Sequence, residues 1–378
     1  MKKIYWKLHE LDWKVHLTVA IVALVGFFCV KHFKIYIPAP HYEEKLEAAT
    51  LMKKGMDVID NYRIKHISDD TDNSKAEMKS ALIGIPFSPI TSIISHREYK
   101  QITINPNWAA VMIDFYKQAG VKKGDTIAAG FSGSFPALNL AVLAAAEILQ
   151  LNVIAINSVA ASSYGANIPE LSWPDMNRIL NDKEIISSTS VAASLGGGQD
   201  IGRGIKNNGI EILKNIISRN KLDFIDTITE PDNLNKRMEI YYKYARNNDI
   251  KAYVNVGGGI MSVGGYRSKK VFKPGLNNIM SERPIRFDSV MVRFAKQSVP
   301  VIQIRHIREL CKTSNMPCEL NEIPSPGEGV IFGSYEYNQF LVILVLIIIC
   351  GLLLVLVKTE YAKIIFHSKK PRSSEPMI

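Results

Sequence analysis

Two serines in a short turn are the first residues whose types and spacing could do chemistry. They lie in the segment GFSGSFPALN, residues 130–139, between a strand predicted over 125–129 and a helix predicted over 137–149. The turn approaches the G-x-S-x-G nucleophile elbow around Ser132, but Ser134 stands where the last glycine belongs. Three interpretations stay open: Ser132 as a nucleophile, the turn as an anion-binding loop, or either serine as the cap of the next helix.

A serine nucleophile needs a base, and the sequence does not single one out for Ser132. No motif places a histidine beside it; the histidines in the region 36–338, between the two predicted membrane spans, are His41, His66, His96 and His306. Other polar partners in predicted loops or helices are Asn139, Asn167 and Asp200. The N–H groups of Gly133 and Ser134 form a candidate oxyanion hole.

Three further clusters of small residues follow predicted strands. They are SVAASSYGAN at 158–167, LGGGQDIGRG at 195–204 and VGGGIMSVGG at 256–265. Glycine-rich turns let backbone N–H groups approach a ligand, and a following helix adds partial positive charge. The candidate anion-binding residues in these turns and in the first one are Gly133, Ser134, Ser162, Ser163, Asn167, Gly197, Gly198, Arg203, Gly258 and Gly259.

The cluster at 195–204 also carries a carboxylate and a guanidinium, Asp200 and Arg203. Arg203 is suited to bind a carboxylate through two parallel hydrogen bonds. Asp200 is the second candidate catalytic residue, although it could instead cap a helix predicted over 201–219, with Arg203 merely solvated. The spacing lacks the G-x-G-x-x-G fingerprint, so no nucleotide cofactor is predicted; no metal is predicted either.

Strands and helices alternate along the middle of the 378-residue chain. This order predicts an α/β fold with a mostly parallel sheet and flanking helices, Rossmann-like and doubly wound. Ligands in such sheets bind beyond the carboxyl ends of the strands, where the small-residue clusters lie. Besides those named above, the predicted helices are 42–64, 108–118, 173–180 and 238–246, and the predicted strands are 152–157, 188–195, 251–256 and 300–305.

An apolar segment near each end of the chain predicts two transmembrane helices. Phe340–Val357 has 18 apolar residues without a charge, and Leu17–Val30 has 14. Leu17–Val30 reaches the length of a membrane span only if the residues that flank it are included. The alternative is that this segment belongs to a cleaved signal peptide, whose charged N-terminal region would then be unusually long. We expect spans over 15–35 and 338–357, one at each end of the α/β fold.

Lysines outside both spans predict that both termini are cytoplasmic, because positive flanks stay inside. The predicted location is therefore the plasma (inner) membrane with the main domain outside. The predicted segments are a cytoplasmic 1–14, a membrane-proximal helix and linker over 36–75, an extracytoplasmic α/β domain over 76–337, and a basic cytoplasmic tail over 358–378.

The segment CKTSNMPC holds Cys311 and Cys318, the two cysteines outside the predicted spans. In an oxidising compartment this spacing favours a disulfide closing a short loop. A zinc site would need two more ligands, and free thiols are the remaining alternative.

Basic residues are concentrated between Lys236 and Lys312, with 16 Lys and Arg against 5 Asp and Glu. The densest part, just after the 256–265 cluster, includes Arg267, Lys269 and Lys270. Such a patch attracts polyanions, although a solvated basic face explains it equally well. Outside the cell, nucleic acid is a poor partner, and an anionic polymer or lipid head group is a better one.

The segments SGSFPALN at 132–139, ASSYGANIPELSWPDM at 161–176 and SLGGGQDIG at 194–202 resemble the poly-γ-glutamate system proteins. This resemblance covers most of the predicted outer region and a membrane anchor at each end. It implies a role in the synthesis, export or processing of poly-γ-glutamate, with other membrane proteins of that system as partners. It implies no demonstrated catalytic residue.

Three functions therefore follow as expectations. The first is a membrane-anchored accessory component that binds or handles the anionic polymer outside the membrane. The second is an extracytoplasmic serine-dependent hydrolase or transferase of γ-glutamyl amides. The third is a structural subunit of a membrane complex.

Overall fold

In the computed structural model the chain forms two compact units. One unit is Met1–Pro38 with Gly333–Ile378, and the other is Ala39–Phe332. The structure describes residues 13–67, 80–246, 249–265, 271–278 and 287–367.

In this part of the chain the α-helices are α1 (Trp13–His32), α2 (Tyr42–His66), α3 (Arg97–Thr103), α4 (Trp108–Gln118), α5 (Pro136–Ile148), α6 (Trp173–Asp182), α7 (Asn207–Arg219), α8 (Glu230–Ala245), α9 (Ile260–Val263), α10 (Val290–Lys296), α11 (Ile307–Thr313) and α12 (Gln339–His367). A 3₁₀ turn covers Val330–Phe332. The strands are β1 (Lys34–Pro38), β2 (Thr91–Ile93), β3 (Thr126–Ser132), β4 (Asn152–Ser158), β5 (Ala161–Ser162), β6 (Asn167–Ile168), β7 (Leu171–Ser172), β8 (Ala192–Ser194), β9 (Asp223–Phe224), β10 (Ile250–Val256), β11 (Gly275–Asn277), β12 (Val301–Ile304) and β13 (Gly333–Tyr337).

A seven-stranded sheet forms the centre of the larger unit, in the order β11-β12-β10-β3-β4-β8-β9. Every neighbouring pair is parallel except β11 and β12. The chain moves outward from β3 through β4, β8 and β9, then returns to the other side of β3 with β10 and β12. The predicted α/β fold with a mostly parallel sheet and flanking helices is confirmed, and the strand order reverses between β3 and β10.

Both faces of the sheet are buried, which explains why its central strands read as continuous apolar runs. Alternate residues of β3 enter different cores. Ile127 and Ala129 belong to the core shared with α2, α4 and α5. Ala128 belongs to the core shared with α8 and α10, where Phe294 stacks on Tyr253 at 5.0 Å between ring centroids.

The predicted helix over 42–64 is present as α2, and it is an integral part of the sheet unit. Its apolar face, which includes Met52 and Ile59, is buried in the main core. At Gly55 the backbone comes so close to α5 that an added Cβ would lie 3.1 Å from Leu140 Cδ1. The compact unit therefore begins at Ala39, earlier than the predicted domain start at residue 76.

The predicted helix over 201–219 begins later than expected, at Asn207. Gln199 and Asp200 have φ values of 53° and 64°, and Gly202 has 77°. A right-handed helix cannot include positive φ, so the residues before 207 form a looped segment instead. Likewise, the strand predicted over 188–195 is shortened to β8.

The smaller unit pairs the two ends of the chain. Strand β1 pairs antiparallel with β13, and α1 packs against α12, where a Cβ on Gly26 would lie 2.5 Å from Val345 Cγ1. Among the described residues, one helix is long and apolar enough to cross a membrane: in α12, Gln339–Leu356 has a mean hydropathy of 3.3. The apolar part of α1, His16–His32, is shorter, so the length and composition expected of a span are met at one end of the chain, not at both.

Candidate functional site

A cleft of about 940 Å³ lies at the carboxyl edge of the central sheet. The strands that reach it are β3, β4, β8, β10 and β12, each through its last residue or the loop that follows. This is the position where ligands bind in open parallel sheets, beside the point where strand order reverses. Its polar and charged lining residues are Ser92, Ser95, Tyr99, Lys100, Ser132, Ser134, Ser158, Ser162, Gln199, Arg203, Arg305, His306, Arg308 and Glu309.

The turn after β3 places Ser132 and Ser134 in the lining of this cleft. Both the nucleophile interpretation and the anion-binding interpretation of this turn require that position. Ser132 Oγ accepts the Ser134 N–H at 3.2 Å, and Asn139 Nδ2 donates to the Ser132 carbonyl at 3.0 Å. The interpretation that Ser132 or Ser134 caps the next helix is wrong, because the cap residue of α5 is Phe135, which makes no side-chain hydrogen bond there.

The predicted oxyanion hole is not available in this turn. The Gly133 N–H donates to the Ser158 carbonyl at 3.0 Å, and the Ser134 N–H is held by Ser132 Oγ. Gly133 is absent from the lining of the cleft. Its role is close packing, because a Cβ there would lie 2.6 Å from the Val159 carbonyl oxygen.

Lys100 is a buried lysine that lines the cleft, and no sequence motif predicted it. Its side chain is 1% exposed, and Nζ donates to the Ser134 carbonyl at 2.5 Å and to Ser162 Oγ at 2.9 Å. Nζ also lies 3.7 Å from the centre of the Phe135 ring. Among the described residues no carboxylate pairs with it, and burial lowers the pKa of Lys100 to about 7.

Ser162 lies on the short strand β5, opposite Ser134. Its N–H donates to Ser134 Oγ at 2.9 Å, while its own Oγ contacts Lys100. Two predicted site residues, on the turn after β3 and on the cluster at 158–167, are therefore in direct contact. The structure thus brings these two clusters together at one edge of the sheet, which the sequence alone did not show.

Asn167 and Ser163 are buried but do not line the cleft. Asn167 Oδ1 accepts the Ile85 N–H at 3.0 Å, and Nδ2 donates to the Ile85 carbonyl at 2.8 Å and to Thr91 Oγ1 at 3.0 Å. The Ser163 N–H donates to the Ile93 carbonyl at 2.9 Å. Both residues fasten the segment before α3 to the loop that follows β4, so their predicted contact with ligand is replaced by a structural role.

Asp200 is also structural. Its carboxylate pairs with Arg237 of α8 at 2.5 Å and accepts the Ser158 hydroxyl at 2.8 Å. Arg237 Nη2 also donates to Ser194 Oγ at 2.7 Å. Asp200 does not line the cleft and does not cap α7, so neither its predicted catalytic role nor its predicted capping role is supported.

The lining of the cleft is strongly cationic. Among the described residues that line it, four have basic side chains, Lys100, Arg203, Arg305 and Arg308, and one, Glu309, is acidic. Arg305 is half-buried, burial lowers its pKa, and among the described residues no carboxylate pairs with it. Nη1 of Arg305 is buried without a hydrogen-bond partner in that same part of the chain.

The other predicted site residues fall into two groups. Arg203 and the four glycines of the later clusters line the cleft as expected; the glycines are Gly197, Gly198, Gly258 and Gly259. Arg267, Lys269 and Lys270 lie outside the described residues. Arg305 could have been found from sequence, since it is the last residue of the strand predicted over 300–305, but Lys100 is on a short helix that no motif marks.

Cys311 and Cys318 are free thiols in the structure. Burial, together with the neighbouring Cys318 thiol, raises the pKa of Cys311 to about 12. The two thiols are thus adjacent but unbonded, and their predicted disulfide stays a prediction. In the described part of the chain, no group of three or more His, Cys, Asp or Glu side chains is arranged to hold a metal ion.

Comparison of the chain with known protein families, with curated proteins and with solved structures found no match in any of the three.

Proposed function

We infer that this protein binds a carboxylate-rich, anionic ligand in the cleft at the carboxyl edge of its sheet. The observation that carries this proposal is the charge of the lining: among the described residues, three arginines, Arg203, Arg305 and Arg308, lie against one acidic side chain, Glu309. Charges of one sign lining a concave surface raise the local concentration of the opposite ion. The cleft is also large enough for an extended segment of polymer, at about 940 Å³.

Arg305 is the best-placed anchor for such a ligand. Its guanidinium lies over Gly258, where a Cβ would come 3.5 Å from Arg305 Nε. A guanidinium can bind a carboxylate through two parallel hydrogen bonds, and Arg305 has a buried Nη1 that needs an acceptor. Leaving a buried donor unsatisfied is unfavourable, so a ligand carboxylate would supply what this site lacks.

Poly-γ-glutamate fits this chemistry, because it carries a carboxylate on every residue. The resemblance of the 132–139, 161–176 and 194–202 segments to the poly-γ-glutamate system proteins supports the same ligand. Arg305 and Arg308 belong to the basic stretch between Lys236 and Lys312. We therefore propose an accessory component of poly-γ-glutamate synthesis or export that handles the polymer.

The proposal includes two membrane spans, with both termini cytoplasmic and the sheet unit outside. Large apolar side chains are exposed on α1 as well as on α12, among them Leu24, Phe27, Phe28, Phe340 and Ile347. Two helices packed together with apolar outer surfaces suit a bilayer. Single cysteines introduced before α1, after α12 and on α2, in a variant whose four native cysteines are replaced by serine, test this: a membrane-impermeant maleimide added to intact cells should label the α2 site alone.

The binding test uses the full chain in detergent and fluorescently labelled poly-γ-glutamate of defined length. We expect Arg305→Gln and Arg203→Gln each to weaken binding about tenfold, as for lost charge-assisted hydrogen bonds. Raising salt from low to moderate should weaken binding of the unmodified protein steeply. Arg178→Gln is the matched control, because Arg178 is exposed and pairs only with Asp182 and Asn220 among the described residues.

Two results would overturn the proposal. One is binding that neither salt nor the two cleft substitutions change. The other is no binding at all by a folded protein, which would favour the structural subunit of a membrane complex instead.

A further inference from the structure

We propose that Ser162 and Lys100 form a nucleophile and base pair that hydrolyses an ester or amide bond of a carboxylate-bearing substrate in this cleft. The charge of the substrate rests on the proposed function above, whereas the reacting pair does not. This assignment moves the nucleophile from Ser132, where the sequence pattern pointed, to a serine 30 positions further along the chain.

The Lys100 and Ser162 side chains are in direct contact. Lys100 Nζ and Ser162 Oγ lie 2.9 Å apart, within the distance that direct proton transfer requires. Both residues line the cleft, so a substrate carbonyl placed there would meet the hydroxyl. Serine and lysine are a known alternative to serine and histidine in hydrolytic sites.

Lys100 differs from Lys45, another buried lysine, in its partners. Lys45 is 2% exposed and pairs with the Asp114 carboxylate at 2.9 Å, which stabilises its charged form. Among the described residues, Lys100 has only a carbonyl, a hydroxyl and an aromatic ring as partners. An ammonium buried without a carboxylate loses its proton easily, so Lys100 is suited to be a base and Lys45 is not.

The surroundings of Lys100 also orient its amine toward Ser162. In the neutral amine, one N–H can still donate to the Ser134 carbonyl, 2.5 Å away. This contact and the Phe135 ring hold Nζ in place, and the nitrogen lone pair is then free to accept the Ser162 hydroxyl proton. The direction of the hydrogen bond between Lys100 and Ser162 reverses when the lysine deprotonates.

The reaction balances without a cofactor. Ser162 Oγ forms a bond to the substrate carbonyl carbon while its proton moves to Nζ of Lys100. The tetrahedral oxyanion collapses, the bond to the leaving amine or alcohol breaks, and the Lys100 ammonium returns the proton to that group. Water then attacks the ester on Ser162, gives a proton to Lys100, and the acid leaves as that proton returns to Oγ.

The first experiment labels the full chain in detergent with a fluorophosphonate, which forms a bond to an activated serine with loss of fluoride. Mass spectrometry of the digested protein should find the label on Ser162. We expect the labelling rate to fall at least 100-fold in Lys100→Met, the usual loss when a general base is removed. Lys100→Arg should fall equally, because arginine keeps the positive charge and the N–H donors but cannot act as a base.

Control variants separate chemistry from folding. Ser187→Ala removes an exposed serine that donates to Glu147 Oε2 at 2.7 Å, and labelling should not change. Lys45→Met removes a buried lysine of similar exposure, and its folded fraction should still be labelled. Circular dichroism of each variant shows whether it is folded.

The dependence of the labelling rate on pH distinguishes a base from a purely structural lysine, which would not affect it. The rate should rise with pH and level off above about 7, the pKa of Lys100. The other titratable groups that line the cleft beside α3 are Tyr99 on α3 itself and, on the segment that packs against it, His306, Arg308 and Glu309. A His306→Gln variant should keep the same midpoint; a midpoint that moves with His306 would overturn the assignment of the base.

The substrate class is tested with two activated esters, p-nitrophenyl acetate and its carboxylate-bearing counterpart mono-p-nitrophenyl glutarate. We expect hydrolysis of the anionic ester to have the lower KM, and Arg305→Gln to remove this preference. If labelling persists without any preference for the anionic ester, the reacting pair stands and the proposed ligand fails. If Ser162→Ala binds poly-γ-glutamate normally, and the unmodified protein is neither labelled nor hydrolytic, the reacting pair fails and the binding function stands. Label on Ser132 or Ser134 instead of Ser162 would also overturn the proposal.

Discussion

The Asp200 carboxylate and the Arg237 guanidinium form an ion pair at 2.5 Å whose side chains are 4% and 2% exposed. Ser158 and Ser194, the last residues of β4 and β8, complete the arrangement through their hydroxyls. The pair therefore joins α8 to two strand ends and to the glycine loop at 195–204 that lines one side of the cleft.

Replacing Arg237 with methionine should strongly destabilise the protein. The substitution leaves the Asp200 charge buried and unpaired, which typically costs about 3–5 kcal/mol. Thermal unfolding followed by circular dichroism measures the effect. Arg178→Met breaks an exposed ion pair with Asp182 and should cost less than about 1 kcal/mol; equal losses in the two variants would contradict this account.

The free energy of unfolding should depend on pH through Lys100. Its pKa is lowered by burial from 10.5 to about 7, so between these values the unfolded chain holds a proton that the folded protein releases. Stability then rises with pH across this window, and below about pH 7 the full cost of burying the ammonium applies. Between pH 7 and about pH 9.5 the unmodified protein should gain on the order of 3 kcal/mol relative to Lys100→Met. A constant difference between the two proteins would show that Lys100 keeps its ordinary pKa.

Gly257→Ala should damage the cleft. Gly257 has a φ of 92°, and a Cβ there would lie 2.8 Å from Ser132 Cβ. Backbone strain of this kind costs about 1–3 kcal/mol, and the clash would also displace the turn after β3. We expect lower thermal stability together with weaker binding of poly-γ-glutamate.

Gly120→Ala is the matched control for this change. Gly120 has a similar φ of 77°, but nothing lies within 4 Å of an added Cβ. It should lose stability through strain alone and bind the polymer normally. If both alanine variants bind equally well, the contact between Gly257 and Ser132 has no part in the site.

The thiol of Cys311 should react slowly with alkylating reagents in the reduced, folded protein. Its side chain is buried, and its pKa of about 12 leaves about one thiolate in 10⁴ at pH 8, because reactivity follows the thiolate. The Cys318→Ser variant should still alkylate slowly at Cys311, since burial is the main cause. Intact mass without reductant tests the predicted bridge, which would lower the mass by about two hydrogens. Fast alkylation of Cys311 would contradict the structure.

The fold was largely predictable because its signals are local. The strand at TIAAG and the strand at 251–256 are short apolar runs between turn residues, and the structure places them side by side as β3 and β10. Pro136 begins α5, as expected of proline at the first helical position. The start of α7 was predicted too early because left-handed residues before 207 interrupt the helical pattern, and φ is not visible in a list of residue types.

The chemistry of the cleft was less predictable because its contacts are distant along the chain. Lys100 and Ser162 are 62 positions apart, and Asp200 and Arg237 are 37 apart. A buried lysine on a seven-residue helix has no periodic signature, and an aspartate beside glycines looks the same whether it faces a ligand or an arginine. The strand ends indicated where the site would lie, but burial and pairing decided which side chains enter it.

The Asn167 side chain, with three hydrogen bonds to the segment from Ile85 to Thr91, has a consequence for how a ligand would bind. That segment leads directly into α3, so the wall that carries Lys100 is fastened to the β4 side of the cleft before any ligand arrives. The site is preorganised there, and no part of the binding free energy is needed to order that wall.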